Sequence, residues 1–210
     1  MERPVRIQVR ALEPYQTTLD AMRGAIASVR EVGIGELWWV QHPPVFTQGQ
    51  AGRPEHVLAT GAIPVVQSDR GGQVTYHGPG QQILYVLLPI GPWQIAVRGL
   101  VEALEGSVID LLAVYGVEAA GRRDAPGVYV QDAKIASLGL RVRHGVSYHG
   151  IALNVAMDLS PFRCIHPCGQ VGLAVTQWID HVGAPVQWNA LRAGWLEALV
   201  RRCQLTVLSD

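Results

Sequence analysis

One lysine stands apart from the other basic residues of this chain. Of the seventeen Lys and Arg residues sixteen are arginine, and Lys134 is the single lysine. A codon bias toward arginine explains the sixteen but gives no reason for the exception, which chance could also produce. Arginine stays protonated near neutral pH, whereas a lysine can be tuned to exchange a proton. Lys134 is therefore a candidate for acid–base chemistry.

The second candidate is a cysteine in a turn. Cys168 lies between Pro167 and Gly169, and this sequence predicts a sharp, rigid turn that exposes the sulfur. The Cys-x-His-x-Cys pattern that begins at Cys164 also suggests zinc, but three ligands within five residues lack the usual spacing. We therefore expect no metal. Cys164 and the distant Cys203 fit the packing role of small apolar residues.

A cysteine nucleophile needs an activating neighbour, because a free thiol near pH 7 is only a few per cent thiolate. The chain offers a lysine and several histidines for this role: Lys134, His77, His149 and His166. A Cys–His–Asn arrangement that uses Asn154 stays open as well. Spacing along the sequence does not choose among these candidates.

The densest run of glycines lies in the segment 70–81, which reads Arg-Gly-Gly-Gln-Val-Thr-Tyr-His-Gly-Pro-Gly-Gln. Glycine lets the backbone come close to a ligand and present its N–H groups. The segment matches neither of the two common phosphate-binding patterns, G-x-x-x-x-G-K-[ST] and G-x-G-x-x-G. Its polar and aromatic side chains favour a binding loop over a purely structural one, namely Arg70, Thr75, Tyr76 and His77.

Elements that position these residues follow from the hydrophobic pattern. Apolar residues at alternating steps of three and four predict helices over Pro14–Arg30, Gln94–Tyr115 and Asn189–Cys203. Short β-rich runs predict strands at Leu37–Gln41, Pro64–Gln67, Gln82–Leu88, Val128–Gln131, Lys134–Arg143 and Ser147–Val155. Hairpin turns are predicted near Asp132-Ala133 and His144-Gly145. Consecutive hairpins with flanking helices predict an α+β fold rather than a doubly wound α/β fold, in one domain over residues 1–210.

Composition narrows the classes of function. Seventeen acidic residues balance the basic ones, so a broad nucleic-acid-binding surface is not expected. The first residues lack the apolar core of a signal peptide, and no stretch approaches the roughly 18 apolar residues of a membrane span. Three cysteines, an odd number, fit reduced thiols better than disulfides. We therefore expect a cytoplasmic protein that binds neither membrane nor nucleic acid.

Four ordered segments together resemble the octanoyltransferases of the lipoate pathway. They are Arg70–Gln81, Lys134–Leu140 (Lys-Ile-Ala-Ser-Leu-Gly-Leu), His149–Val155 (His-Gly-Ile-Ala-Leu-Asn-Val) and the turn Pro167–Gly169. The resemblance covers about residues 33 to 180. It implies the fold of the biotin and lipoate protein ligase catalytic domain, a mixed, mostly antiparallel sheet flanked by helices. It also implies a catalytic dyad, which falls here on Cys168 and Lys134.

The resemblance implies an acyl-substrate site as well. Its residues come from three of the segments: Arg70, Gly71, Gly72, Gln73, Val74, Thr75, Tyr76 and His77; Ser137, Leu138 and Gly139; His149, Gly150, Ile151 and Ala152. Tyr76, Leu140 and Ile151 are expected as walls of a slot for the octanoyl chain. Backbone N–H groups near Gly139, Gly150 or Gly169 are candidates for an oxyanion hole.

The activity that the resemblance implies needs no cofactor. An octanoyl group passes from octanoyl-acyl carrier protein to Cys168, and then to a lysine of the lipoyl domains of 2-oxoacid dehydrogenase complexes and of the glycine cleavage H protein. One alternative is an ATP-dependent lipoate or biotin ligase on the same fold, which needs no cysteine nucleophile. Another is a non-catalytic module that binds acylated carrier proteins. Arg122, Arg123, Arg141 and Arg143 are candidates for docking the acidic carrier, or ordinary surface charges.

Overall fold

The computed structural model describes residues 2–209, and within that range the chain forms three α-helices and eleven β-strands. The helices are α1 (Tyr15–Val32), α2 (Val97–Val114) and α3 (Trp188–Cys203). The strands are β1 (Pro4–Leu12), β2 (Gly35–Gln41), β3 (Val45–Gln48), β4 (Val65–Gln67), β5 (Val74–His77), β6 (Gln81–Leu87), β7 (Ala120–Gly121), β8 (Val128–Val130), β9 (Ala133–Arg143), β10 (Val146–Asn154) and β11 (Thr206–Val207).

The strands form a large and a small sheet. The large sheet has the order β11-β1-β2-β6-β10-β9-β8-β7. Its pairings with β1 are parallel, and those from β2 through β7 are antiparallel. The small sheet has the order β4-β3-β5, and its strand β5 lies within the glycine-rich segment 70–81. This mixed, mostly antiparallel arrangement with helices confirms the predicted α+β fold.

Helices cover both faces of the large sheet at its central strands β2, β6 and β10, which are buried on both sides. Along β2, Leu37 and Trp39 pack into the cluster formed with α2 and α3, whereas Trp38 and Val40 pack into the cluster formed with α1. Burying each such side chain contributes about 1.5–3 kcal/mol. A shift by one residue would exchange the two faces, so the packing fixes the register of the central strands.

The predicted helices are confirmed, with ends displaced by a few residues. Helix α1 ends at Gly33, which adopts the left-handed conformation (φ 74°) and donates its N–H to the Val29 carbonyl. The hairpin between β9 and β10 turns at His144 and Gly145, both with positive φ. The preceding hairpin turns one residue earlier than predicted, at Gln131-Asp132, because Val130 pairs with Ala133.

Several strands escaped prediction. The segment that forms β5 was expected to be a loop because glycines flank it, yet Val74–His77 is a fully buried strand that pairs with β3. Strand β1 is mostly exposed and pairs in parallel with β2, which local sequence does not reveal. No helix within residues 2–209 is long and apolar enough to cross a membrane.

Candidate active site

Lys134 and Cys168 lie in direct contact, although 34 residues separate them. The Lys134 ammonium nitrogen, Nζ, donates to Cys168 Sγ at 3.1 Å and to the Pro126 carbonyl at 3.0 Å. It also lies 5.2 Å from the centre of the Tyr129 ring. The lysine is 1% exposed, while Cys168 is half-buried and accessible to a substrate. The lysine, rather than any of the four histidine and asparagine candidates, is thus the group that touches the sulfur.

Backbone pairing places Lys134 at the start of β9. Its N–H donates to the Ala174 carbonyl at 2.8 Å, and its carbonyl accepts from the Thr176 N–H at 3.0 Å. The side chain of Asn154 donates in turn to the Thr176 carbonyl at 3.0 Å. Asn154 therefore supports the segment beside the lysine and does not form a Cys–His–Asn arrangement.

The turn at Cys168 is strained. Cys168 adopts the left-handed conformation (φ 56°, ψ 20°), which is uncommon for a residue with a side chain and costs about 1–3 kcal/mol. Gly169 follows with φ 74°, and a Cβ at this position would collide with the Gln73 amide. The Gly169 N–H already donates to the His166 carbonyl at 2.8 Å. This bond removes Gly169 from the candidates for an oxyanion hole.

The protonation of Lys134 reflects its partner. Burial alone would lower the pKa of Lys134, but the charge of the Cys168 sulfur and its hydrogen bond outweigh burial, so the pKa lies above its ordinary value. A raised pKa means that the protein favours the ammonium form of Lys134. The buried lysine therefore presents a positive charge directly to the Cys168 sulfur.

A pocket opens beside Cys168 along strands β5, β6, β9 and β10. Its lining residues are Tyr15, Arg70, Gly72, Gln73, Val74, Thr75, His77, Ile83, Tyr85, Ser137, Leu138, Gly139, His149, Gly150, Ile151, Ala152 and Cys168. The three predicted substrate-binding segments thus converge on one cavity. Two predicted members do not line it, Gly71 and Tyr76.

The side chain of Tyr76 points to the opposite side of β5. Its ring lies 5.4 Å from that of Phe46 and 5.5 Å from that of Phe162, within a separate apolar cluster. The expectation that Tyr76 forms a wall of the acyl slot is therefore wrong, because neighbouring residues of a strand face opposite ways. Leu140 also lies outside the lining, whereas Ile151 belongs to it.

Gly71 supports the pocket from behind. Its N–H donates to the Leu140 carbonyl at 3.0 Å, and its carbonyl oxygen would lie 2.6 Å from a Cβ added at Gly139. The glycine-rich loop can approach β9 this closely because neither glycine carries a side chain. Gly71 therefore contributes backbone contacts to the wall rather than a surface for the ligand.

Small residues form much of the wall on β9 and β10. Ser137 pairs with Ala152, and Gly139 pairs with Gly150, in the antiparallel register of the two strands. At the two glycines the space of a side chain is taken by backbone, namely the Gly71 carbonyl at Gly139 and the Leu84 carbonyl at Gly150. The remaining lining includes three residues that the sequence did not single out as site residues, Tyr15, Ile83 and Tyr85.

Arg70 is a second buried cation of the site. Its guanidinium donates to the Thr47 hydroxyl, the Thr47 carbonyl and the Gly71 carbonyl. Within residues 2–209 no carboxylate lies within ion-pair distance of it. Burial lowers the pKa of Arg70, while the charge of Cys168 acts to raise it. An arginine remains charged even so, and its fixed positive charge favours an anion at the sulfur.

His149 is held by a carboxylate on the far side of the pocket. Its Nε2 lies 2.8 Å from Asp69, and Asp69 also accepts from the Tyr148 hydroxyl at 2.8 Å and from Arg23 at 3.0 Å. The hydrogen bond with His149 is the main cause that holds the pKa of Asp69 well below its usual range. Burial lowers the pKa of His149. The ring is therefore fixed in place as a neutral group.

The histidines deeper in the wall are neutral as well. His77 donates to the Gln81 amide oxygen at 2.7 Å, and burial sets its pKa well below the ordinary value. His42 lies behind the pocket, where it donates to the Glu13 carbonyl at 2.6 Å and accepts from the Tyr85 hydroxyl at 2.8 Å. Burial lowers the pKa of His42 to about 4. These rings fix the shape of the wall.

The surface arginines differ in their freedom. Arg122 forms an ion pair with Asp132 at 2.7 Å and lies 4.3 Å above the Tyr129 ring, on the strand next to Lys134. Arg141 donates to the Gln50 side chain.

Among residues 2–209, no three His, Cys, Asp or Glu side chains cluster as metal ligands would.

Known proteins resemble this chain over most of its length. The family model described as lipoyl protein ligase A/B catalytic domain matches residues 15–199. An octanoyltransferase of Pseudomonas entomophila (strain L48) is 57% identical over 190 residues, covering 90% of this chain and 88% of the relative. An octanoyltransferase of Klebsiella pneumoniae (strain 342) is 56% identical, covering 82% and 81%.

Solved structures share the fold at low sequence identity. Lipoate-protein ligase A bound with ATP superposes with a TM-score of 0.80 at 15% identity, covering 100% of this chain and 89% of that one. A putative lipoate protein ligase from T. acidophilum with bound lipoic acid gives a TM-score of 0.81 at 16% identity, with the same coverage. At such identities the likeness concerns the fold alone.

Proposed function

The chain belongs to the lipoyl protein ligase A/B catalytic-domain family, among its octanoyltransferases, and from this premise we propose that Cys168 carries the octanoyl group as a thioester while Lys134 moves the protons. The observation that carries the proposal is the 3.1 Å contact between Lys134 Nζ and Cys168 Sγ, with Cys168 in the lining of the pocket that the three segments form. Residues 1–210 act in this proposal as a single catalytic domain.

The first step charges the enzyme. The Cys168 thiolate, paired with the Lys134 ammonium, attacks the thioester carbonyl of octanoyl-acyl carrier protein. A new bond forms between Sγ and the carbonyl carbon, and the bond to the phosphopantetheine sulfur breaks. That sulfur leaves as a thiolate and takes a proton from Lys134, which becomes neutral. At roughly 4 Å and an effective dielectric constant of about 20, a pair of unit charges gains about 4 kcal/mol before desolvation.

The second step delivers the octanoyl group, and the environment of Lys134 then favours the reverse proton movement. Once Cys168 is acylated, its sulfur carries no charge, so the main cause that raises the pKa of Lys134 is gone, and burial is opposed only by the smaller effects of Tyr129. Burial disfavours the ammonium form. Neutral Lys134 accepts a proton from the attacking lysine of the acceptor, the amide bond forms, and Cys168 leaves as a thiolate.

The small and apolar part of the pocket wall supports an acyl chain as the ligand. Its residues include Ser137, Gly139, Ile151 and Ala152, and a hydrocarbon chain attached at Cys168 would extend along them. We infer acyl carrier protein as the donor and lipoyl domains as acceptors, in the 2-oxoacid dehydrogenase complexes and the glycine cleavage H protein. Arg123 and Arg143 stay candidates for contact with the acidic carrier.

A ligase reaction on the same fold is the second candidate, because structural relatives include a lipoate-protein ligase bound with ATP. An adenylate mechanism needs no thiol, whereas here the buried Lys134 contacts the Cys168 sulfur directly. The test is octanoylation of a lipoyl domain, measured with octanoyl-acyl carrier protein alone and with free octanoate plus ATP. We expect product in the first mixture without ATP. Product only in the second, with pyrophosphate release, would establish a ligase.

A non-catalytic module is distinguished by the same assay with a Cys168→Ser variant. The proposal predicts that this variant binds octanoyl-acyl carrier protein but forms no octanoylated lipoyl domain. A module that only holds the carrier would give no product with either protein and equal binding with both.

A further inference from the structure

A carboxylate on helix α2 reaches the peptide that holds the catalytic lysine. Glu105 Oε1 accepts a hydrogen bond from the Gly127 N–H at 2.6 Å. The Pro126 carbonyl of the same peptide unit accepts from Lys134 Nζ at 3.0 Å. One peptide group therefore joins the two charged side chains, with its N–H directed to Glu105 and its oxygen directed to Lys134.

The geometry of this peptide is specific. Gly127 has φ 144°, and a Cβ there would lie 2.8 Å from Lys134 Cε and 2.7 Å from the Ala136 carbonyl oxygen. The peptide can lie against the lysine stem only because residue 127 has no side chain. Glu105 also lies close to β7, since a Cβ at Gly121 would be 3.1 Å from its Oε2. The carboxylate is thus held between α2 and the loop that leads to Gly127.

Electrostatics couples the two ends of the arrangement. Hydrogen bonds in a chain polarise one another, so a carboxylate at the N–H strengthens the opposite carbonyl as an acceptor. Burial raises the pKa of Glu105, while the Gly127 N–H and the charge of Lys134 lower it. Glu102, one turn earlier on α2, acts on Glu105 as a like charge. From the neighbouring elements, Tyr129 and Cys168 act on Lys134.

We propose that Glu105 is a positioning residue for acyl transfer: through the Pro126–Gly127 peptide it directs the Lys134 Nζ at Cys168 and stabilises its ammonium form. The inference rests on the proposed function, because it assigns Lys134 the role of moving protons. A glutamine at this position can keep the hydrogen bond to Gly127 but not the charge. An alanine loses both.

The second half of the reaction gives a readout that packing alone would not change. A neighbouring carboxylate raises the pKa of a lysine, so its removal lowers the pKa of Lys134. In the octanoyl-enzyme Lys134 then becomes neutral at lower pH. The pH at which the transfer rate reaches half its maximum should therefore fall, by about 0.5 unit or more. The ionisation of the acceptor lysine is the same for every enzyme variant and cancels in the comparison.

The experiment uses preformed octanoyl-enzyme and an excess of lipoyl domain, with single-turnover rates measured from about pH 6 to pH 9. Glu105→Gln should fold normally and show the shifted profile. Glu105→Ala should show the same shift and, in addition, slower charging of Cys168 by octanoyl-acyl carrier protein, by about tenfold. Glu102→Gln is the matched control, since Glu102 pairs only with Arg98 at the surface within the described chain, and it should match the parent.

Profiles of Glu105→Gln and Glu105→Ala that coincide with that of the parent would overturn the inference and leave Glu105 as a packing residue. A uniform rate loss without any shift, in both variants, would do so as well. If the parent itself forms no octanoyl-enzyme, the proposed function fails before Glu105 is tested. The two failures are therefore distinguishable by the first mass measurement on the parent.

Discussion

The two buried cations of the site lie in different surroundings. Lys134 contacts a sulfur that can gain or lose charge, and its pKa is raised by that partner. Arg70 contacts only neutral oxygens, from Thr47 and Gly71, and burial lowers its pKa. An arginine keeps its proton in either case. One end of the site can therefore exchange a proton, and the other provides a constant charge.

The same contrast extends to the histidines near Arg70. His42, His77 and His149 are each buried and hydrogen-bonded, and burial lowers the pKa of each. They supply shape and polarity without changing protonation near neutral pH. The chemistry is thereby confined to the contact between Lys134 and Cys168, and the rest of the wall keeps that contact in place.

The largest effect should follow from replacing Lys134, which can exchange a proton, by an arginine, which cannot. Lys134→Arg keeps a positive charge but cannot return to the neutral state, so transfer of octanoyl to a lipoyl domain should fall by about 10²–10⁴-fold. Single-turnover rates measure the loss. Arg122→Lys, at a surface site beside Tyr129, is the control and should retain most activity. An active Lys134→Arg enzyme would contradict the assigned role.

Acid should act on the buried His42 by lowering the stability of the fold rather than the rate of octanoyl transfer. The pKa of His42 is about 4 in the folded protein and about 6.5 in an unfolded chain. Between these values the unfolded chain binds more protons, so stability present above pH 6.5 is lost as the pH falls toward 4. The loss due to His42 is about 3 kcal/mol. Denaturant unfolding at both pH values measures it.

A matched pair of variants assigns this loss to one residue. His42→Gln should reduce the slope of the free energy of unfolding against pH by the equivalent of about one bound proton. The variant should also be less stable at neutral pH. His144→Asn, at the exposed turn between β9 and β10, should leave the slope unchanged. Equal slopes for His42→Gln and the parent would show that His42 is not held neutral.

Arg70→Lys tests whether the site needs the guanidinium group of Arg70 as well as its positive charge. Lysine cannot reach the Thr47 hydroxyl and carbonyl together, so buried acceptors lose their donors. We expect a destabilisation of about 2 kcal/mol and slower charging of Cys168, as read from denaturant unfolding and single-turnover acylation. Arg53→Lys, at an exposed arginine, is the control. An unchanged stability would mean that charge alone suffices.

The smallest effect should come from a cysteine that does not line the pocket. Cys203 is 4% exposed in the α3 core, and burial raises its pKa to about 11. Cys203→Ala should cost about 1 kcal/mol of stability and leave octanoyl transfer unchanged. Limited alkylation followed by peptide mass analysis should label Cys168 well before Cys203. Preferential labelling of Cys203 would contradict the assignment of the reactive thiol.

Sequence patterns predicted the regular elements well because their signals are local. The helix periodicities and the turn at His144-Gly145 report short-range geometry, and the structure confirms them. Strands β1 and β5 were missed because their pairing partners lie elsewhere in the chain. The direction of the Tyr76 side chain, away from the pocket, could by contrast have been predicted once β5 was recognised, because successive strand residues point to opposite faces.

The site was harder to read than the fold. Lys134 was conspicuous as a single lysine, but its contact with Cys168 depends on the pairing of residues 174–176 with β9, which no local pattern encodes. Tyr15 and Ile83 were assigned to a helix face and a strand as apolar residues, and both line the pocket. Their positions follow from how α1 and β6 pack against the sheet.

A thioester at Cys168 is the intermediate on which the proposed reaction depends. Intact-mass spectrometry of the protein mixed with octanoyl-acyl carrier protein, without ATP, should show one added octanoyl group on the parent. The adduct should be released by hydroxylamine, disappear when a lipoyl domain is added, and be absent from Cys168→Ser. Octanoylation of the lipoyl domain by Cys168→Ser at the parental rate, with no adduct on either protein, would contradict the account.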